Sequence, residues 1–179
     1  RGSTTTELIF TDCKIPVDNV IGGEAFIGQG FRTSMKVLDK GRLTLAASSV
    51  GMAQSALDLS VRYAKERVQF GKPIGQFQLV QDMLARMAMQ VYAARQMVYR
   101  VAWEKDQGHP VTMEASMAKL FCTEMLGRVA DLAVQVHGGM GYMKEFAVER
   151  IFRDARVVRI YEGTSEIQKT VIARELLRD

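Results

Sequence analysis

Cysteine and histidine are scarce in this sequence, with two of each among 179 residues. Cys13 and Cys122 show none of the spacings used for metal binding or redox exchange, and they suggest a reducing compartment. His109 and His137 form no Glu-x-x-His pattern, which excludes a di-metal carboxylate site in a helical bundle. His137 precedes two glycines with no Cys or Ser partner in view, so it reads as a helix-end residue. Long apolar runs are missing too. None approaches the roughly 20 residues needed to span a bilayer, and no signal peptide is visible. Charge is mixed: the net +4 contains no block of like residues, so nucleic-acid binding is unsupported. An anionic ligand such as a phosphorylated cofactor would still be welcome. Prolines number three against eleven methionines, a balance that favours helices.

Hydrophobic residues make up 47% and charged residues 25%, which is ordinary for a globular protein. The length suits one well-buried domain, or one domain plus a stub of another. Residues 1–28 stand apart. Thr4 to Phe10 is β-prone, and Pro16, Asp18, Asn19, Gly22 and Gly23 follow as turn formers. This stretch predicts a strand and trailing loop that pair with something outside the chain, since a lone strand is unstable.

From residue 29 onward the pattern is helical. Helices are predicted over about 31–67, 77–107, 114–137, 145–156 and 165–177. Leu45, Ser49, Met52, Ala56, Leu59 and Tyr63 make the first apolar stripe. Val80, Leu84, Met87, Val91, Ala94, Val98 and Val101 make the second, and Ala118, Cys122, Met125, Val129, Leu132 and Val136 the third. Gly108 is placed as a C′ residue, Thr112 as an N-cap, and Gly138-Gly139 as a stop. Long helices with short connections predict an all-α fold. The expected architecture is an antiparallel up-down four-helix bundle with an extra short C-terminal helix, preceded by a β-strand stub.

Chemistry concentrates where the helices break. Ile160 to Gln168 places Glu162 before a glycine and a run of helix-starting residues, with Ser165 and Gln168 in capping-box register. A carboxylate on such a turn could be a proton acceptor aimed into a cleft, or it could merely balance a helix dipole. Arg67 ends the first helix, and a guanidinium suits a phosphate because its planar fork donates paired hydrogen bonds. Gly138 and Gly139 would let a pyrophosphate or a planar ring lie against main-chain amides.

Taken in order, Arg67-x-x-Phe70-Gly71, Gln78, Gln135-x-x-Gly138-Gly139-x-Gly141-Tyr142, Arg153-Asp154-Ala155 and Tyr161-Glu162-Gly163-Thr164-Ser165 closely resemble the acyl-CoA dehydrogenase family. The likeness spans nearly the whole chain. It implies that residues 1–28 end a middle β domain and that residues 29–179 form the C-terminal helical domain of an FAD flavoenzyme, normally a homotetramer built as a dimer of dimers. It implies cofactor contacts for Arg67, Phe70, Phe77, Gln78, Gln135, Gly138 and Gly139 toward the nucleotide end, and for Thr164 and Glu166 toward the flavin. Asp39, Lys40, Gly41 and Arg42 would line the acyl-CoA site, and Gly163 would touch the substrate. Glu162 would be the base that takes the α-proton while a hydride leaves the β-carbon. The alternative origin of the base, on the first helix, corresponds to Gly41, which cannot serve. Electrons would pass to an electron-transfer flavoprotein, in a bacterial cytoplasm or a mitochondrial matrix. Two other readings stand beside this one: a flavin oxidase or monooxygenase on the same fold, and an inactive oligomerisation and cofactor-docking fragment.

Overall fold

The computed structural model describes residues 6–178, apart from the side chains of Lys36 and Asp39. Five α-helices carry the fold: α1 (Gly30–Glu66), α2 (Gln78–Asp106), α3 (Thr112–His137), α4 (Ala147–Val157) and α5 (Ser165–Leu176). The protein is all-α apart from a two-residue-per-strand hairpin between α1 and α2, β1 (Val68–Gln69) and β2 (Lys72–Pro73).

Each long helix turns the stripe its spacing predicts inward, with Met52, Leu59, Tyr63, Val80, Leu84 and Leu132 half-buried and the rest buried. On α2, Met87, Val91, Ala94, Val98 and Val101 are buried. On α3 the buried set includes Ala118, Cys122, Met125, Val129 and Val136. The seam between α1 and α3 is lined by small side chains, Ala46, Ala53 and Ala56 from one helix and Ala115, Ala118, Ala130 and Ala133 from the other. Small residues let helix axes approach closely, and α1 with α3 is the most intimate pair in the molecule. α3 is the hub, packed against α1, α2, α4 and α5. Cys122 sits in this core, where burial pushes its thiol up to about 12 and leaves it inert.

Three expectations need correction. The strand over residues 4–10 is not formed within the described part: residues 6–10 are irregular, and Leu8, Ile9 and Phe10 are exposed. The only ladder among the described residues joins β1 to β2, so this segment has no strand partner among them; the predicted pairing is with something outside the chain. Residues 1–5 lie outside the described part. Thr112 is the first residue of α3 and Val111 holds the cap position. At α5 the N-cap is Thr164, whose hydroxyl accepts from the Ile167 amide at 3.3 Å, while Ser165 already belongs to the helix.

The stretch at 67–77, expected only as an interruption, is a hairpin. Gln69 pairs with Lys72 across Phe70-Gly71, which have φ of +50° and +78°. Two positive φ values are what a two-residue type I′ turn requires.

Candidate active site

The loop from Val158 to Thr164 links α4 to α5 and carries Glu162 at φ +54° and Gly163 at φ +90°. A residue with a side chain costs about 1–2 kcal/mol in the left-handed region, so the surroundings must enforce it. They do so from three directions. The Gln168 side-chain amide, fully buried on α5, donates to the carbonyls of Glu162 at 3.0 Å and Gly163 at 3.1 Å. Lys119, fully buried on α3, donates from Nζ to the Gly163 carbonyl at 2.7 Å. Glu124 on α3 accepts from the Ser165 hydroxyl at 2.7 Å and from Arg159 Nη1 at 3.1 Å, fastening both ends of the loop. Glycine leaves room at two neighbouring points, and at Gly163 the φ of +90° favours it as well. A Cβ at Gly163 would sit 2.5 Å from Gln168 Nε2, and one at Gly127 would sit 2.8 Å from Arg159 Nη2.

So held, Glu162 points at α1. A cavity of about 320 Å³ opens there, lined by Val37, Lys40, Gly41, Thr44, Leu45, Ser48 and Glu162. Gly41 faces the carboxylate directly: a Cβ there would lie 2.9 Å from Glu162 Cδ and 3.0 Å from Oε1 and would overlap Oε2. Oε2 is buried and has no hydrogen-bond partner. A buried oxygen left unsatisfied costs about 1–3 kcal/mol. The fold therefore leaves Oε2 as an acceptor without a partner at the wall of the cavity.

Charges around the loop are arranged in layers. Burial is the main influence holding the Lys119 ammonium below its usual range; the Glu162 carboxylate pulls it back up, and buried Arg42 pushes it down again. Burial raises the Glu124 carboxyl, but the Ser165 and Arg159 contacts outweigh it and hold the group low. Glu166 is held low by its own backbone amide first and by the Thr164 hydroxyl next, so this pair completes the α5 cap.

The residues singled out in the sequence fall into three patches. Gly41, Arg42, Glu162, Gly163, Thr164 and Glu166 gather at the loop. Asp39 lies on α1 nearby, with its side chain outside the described part. Phe70, Phe77 and Gln78 line a second hollow of about 760 Å³ at the hairpin, with Lys72 Nζ 4.5 Å from the Phe77 ring centre. Phe70 is 92% exposed and meets Phe77 edge-on, with centroids 6.1 Å apart. Arg67 is the exposed C-cap of α1, and its carbonyl accepts from the Ile74 amide at 2.8 Å. Gln135, Gly138 and Gly139 form the third patch, at the C-terminal end of α3, where all three are exposed. No described cavity is lined by residues of more than one patch. His137 is structural: its ring stacks on Tyr63 with centroids 4.3 Å apart, and Nδ1 donates to the Ala133 carbonyl at 2.8 Å. Burial lowers its pKa.

The sequence reading missed Lys119, Glu124 and the loop-holding role of Gln168. For Lys119 a signal existed. Ala115, Lys119, Cys122, Leu126, Val129 and Ala133 form a second α3 stripe, all fully buried, with one cation in it.

Residues 28–177 match the family model described as the acyl-CoA dehydrogenase C-terminal domain. The chain belongs to the acyl-CoA dehydrogenase family. Among curated relatives, it is 52% identical over 178 residues to a probable acyl-CoA dehydrogenase of Bacillus subtilis, YngJ, covering 99% of this chain and 46% of that protein. It is 47% identical over 177 residues to the caffeyl-CoA reductase-Etf complex subunit CarC of Acetobacterium woodii, covering 99% of this chain and 46% of that protein. Among solved structures it is similar to butyryl-CoA dehydrogenase from Megasphaera elsdenii, with a TM-score of 0.82 and 46% identity over 84% of this chain and 39% of that one. The chain thus spans about half the length of the curated relatives it matches.

Proposed function

We propose that this chain is the C-terminal helical part of an FAD-dependent acyl-CoA dehydrogenase in which Glu162 accepts the α-proton of an acyl-CoA thioester. The observation that carries this reading is the buried, unpartnered Glu162 Oε2 at the wall of an open cavity, opposite a glycine that leaves room for it. A carboxylate freely solvated in water is too weak a base for that proton. Placed beneath an apolar acyl chain, with water excluded, it becomes a stronger one. The Glu162 backbone amide and the fixed loop would orient the thioester carbonyl and favour the charge developing on it. Asp39, Arg42 and Gly163 are proposed to bind the substrate beside it.

The residues present fit a flavin dinucleotide. Phe70 and Phe77 offer aromatic faces with a cation beside them at the hairpin hollow. An ideal Cβ at Gly139 or at Gly138 (φ +58°) meets no atom within 4 Å, so the main chain is open to close approach there, although the Gly138 amide already donates to the Gln135 carbonyl. We assign Arg67, Phe70, Phe77 and Gln78, with Gln135, Gly138 and Gly139, to the nucleotide end, and Thr164 and Glu166 to the flavin end. The three separate patches are consistent with the nucleotide being shared between subunits of a homotetramer. FAD, when bound, supplies the acceptor for the β-hydride. An electron-transfer flavoprotein is the proposed redox partner, in a bacterial cytoplasm or a mitochondrial matrix.

A second reading is favoured by the reductase named among the relatives. Run in reverse, the same site would reduce an enoyl-CoA, with protonated Glu162 donating to the α-carbon. Assays in both directions separate the two. The test common to both is Glu162→Gln in the complete flavin-containing protein. Flavin content should persist, while reduction of the flavin by acyl-CoA falls at least about 10³-fold. Near-wild-type reduction would place the base elsewhere.

A further inference from the structure

Lysine is almost never fully buried unless it is paired, because its ammonium loses hydration. Lys119 has no exposed surface and is the largest fully buried side chain among the described residues. Its stripe neighbours on α3 are apolar, so an apolar residue at this position would satisfy the core. What the ammonium does instead is reach out of the helix bundle and donate to the Gly163 carbonyl at 2.7 Å. That carbonyl belongs to the residue following Glu162, and Gln168 holds it from the opposite element. Gly163 is thereby clamped between α3 and α5.

We propose that Lys119 is a positioning residue for Glu162: by gripping the Gly163 carbonyl it locks the left-handed backbone from which the carboxylate enters the cavity. The role rests on the reading of Glu162 as the base. Lys119 makes no proton transfer itself. Its grip removes the loop's freedom to relax, since Glu162 at φ +54° would otherwise drift toward the right-handed or extended regions. Such a drift would swing the carboxylate away from Gly41 and the cavity. The Glu162 carboxylate on the loop and the Glu124 carboxylate on α3 favour the charged ammonium, while burial, the largest influence, and the Arg42 guanidinium oppose it.

The experiment compares Lys119→Met and Lys119→Arg in the complete flavin-containing protein, with Glu162→Gln as control. Melting temperature, flavin content, kcat, KM and amide hydrogen exchange of the 160–168 segment are measured for each. A gripping role predicts that Met lowers kcat by about 30- to 100-fold, the scale of an ångström-level misplacement. KM should change little. Exchange in 160–168 should rise at least about tenfold while α1–α3 stays protected. Arg keeps a charged donor, so it should recover most of the loop protection and outperform Met. A role in packing alone predicts the opposite order, because Met fits a buried apolar slot better than Arg does. Should Met fail to fold, Arg with a protected loop and kcat within about tenfold of wild type supports the grip, and Arg with a deprotected loop overturns it. Wild-type kcat and loop exchange in Lys119→Met would also overturn it, while leaving Glu162 as the base. Wild-type turnover in Glu162→Gln would overturn the base and this role together.

Discussion

Phe70-Gly71 and Glu162-Gly163 share a backbone signature, a residue with a side chain at positive φ followed by a glycine at positive φ. At the hairpin the chain supplies its own restraint. Val68 and Gln69 pair with Pro73 and Lys72, and the turn follows from the ladder. Phe70 is left pointing outward, almost wholly exposed. At the 158–164 loop no ladder exists among the described residues. The same signature is imposed by Lys119 and Gln168, side chains from two helices far apart in sequence, while Glu124 fastens the loop's ends. A self-restrained turn tolerates change elsewhere in the protein. A loop held from outside passes each change in its supports on to Glu162, whose Oε2 is buried beside Gly41. The second arrangement gives tighter control of a reactive group and greater vulnerability.

The contrast breaks most sharply at Gly41→Ala. The added Cβ would claim space now occupied by the Glu162 carboxyl, with Cδ only 2.9 Å away. Steady-state turnover should drop about hundredfold, as expected for a base displaced by an ångström, with little change in melting temperature. Gln168→Met comes next, because it takes the Gln168 donor from the Glu162 carbonyl and leaves the Gly163 carbonyl with Lys119 alone. Denaturant unfolding should show a loss of about 1–3 kcal/mol, and amide exchange should rise across residues 160–168. Gly71→Ala, by comparison, should cost about 1–2 kcal/mol through its left-handed φ and leave exchange in 160–168 unchanged. Glu162→Gly has the smallest effect on stability and the opposite sign. Relief of the left-handed strain should stabilise the fold by about 1 kcal/mol while abolishing turnover. A destabilised Glu162→Gly would show that the loop is not strained.

The helices were legible because each long one repeats an apolar position every three or four residues, and Met87, Val91 and Ala94 or Cys122 and Met125 bury as that spacing requires. Gly108 was legible as a helix end, and its φ is +80°. The hairpin was not. Its central residue is Phe70 in place of the usual Asn or Asp, and strands of two residues leave no alternation to read. The α5 cap was displaced by one residue because Thr164 and Ser165 are both competent caps. The choice is made by Glu124, on a distant helix, which accepts from Ser165 and leaves Thr164 to cap. Family spacing in the sequence picked out Glu162 and Gly41. The lone cation in the second α3 stripe could have flagged Lys119, but what Lys119 and Gln168 grip was hidden, since it depends on which helix faces are turned toward the loop.

The most direct test of Glu162 as the proton acceptor is solvent-deuterium exchange at the α-carbon of an acyl-CoA analogue that cannot lose a β-hydride, such as a 3-thia-acyl-CoA. Mass spectrometry of the recovered thioester reads proton abstraction alone, independent of electron transfer. The complete wild-type protein should wash deuterium into the α-position, and Glu162→Gln should bind the analogue and exchange at least about 10³-fold more slowly. Equal exchange by the two proteins would contradict the account.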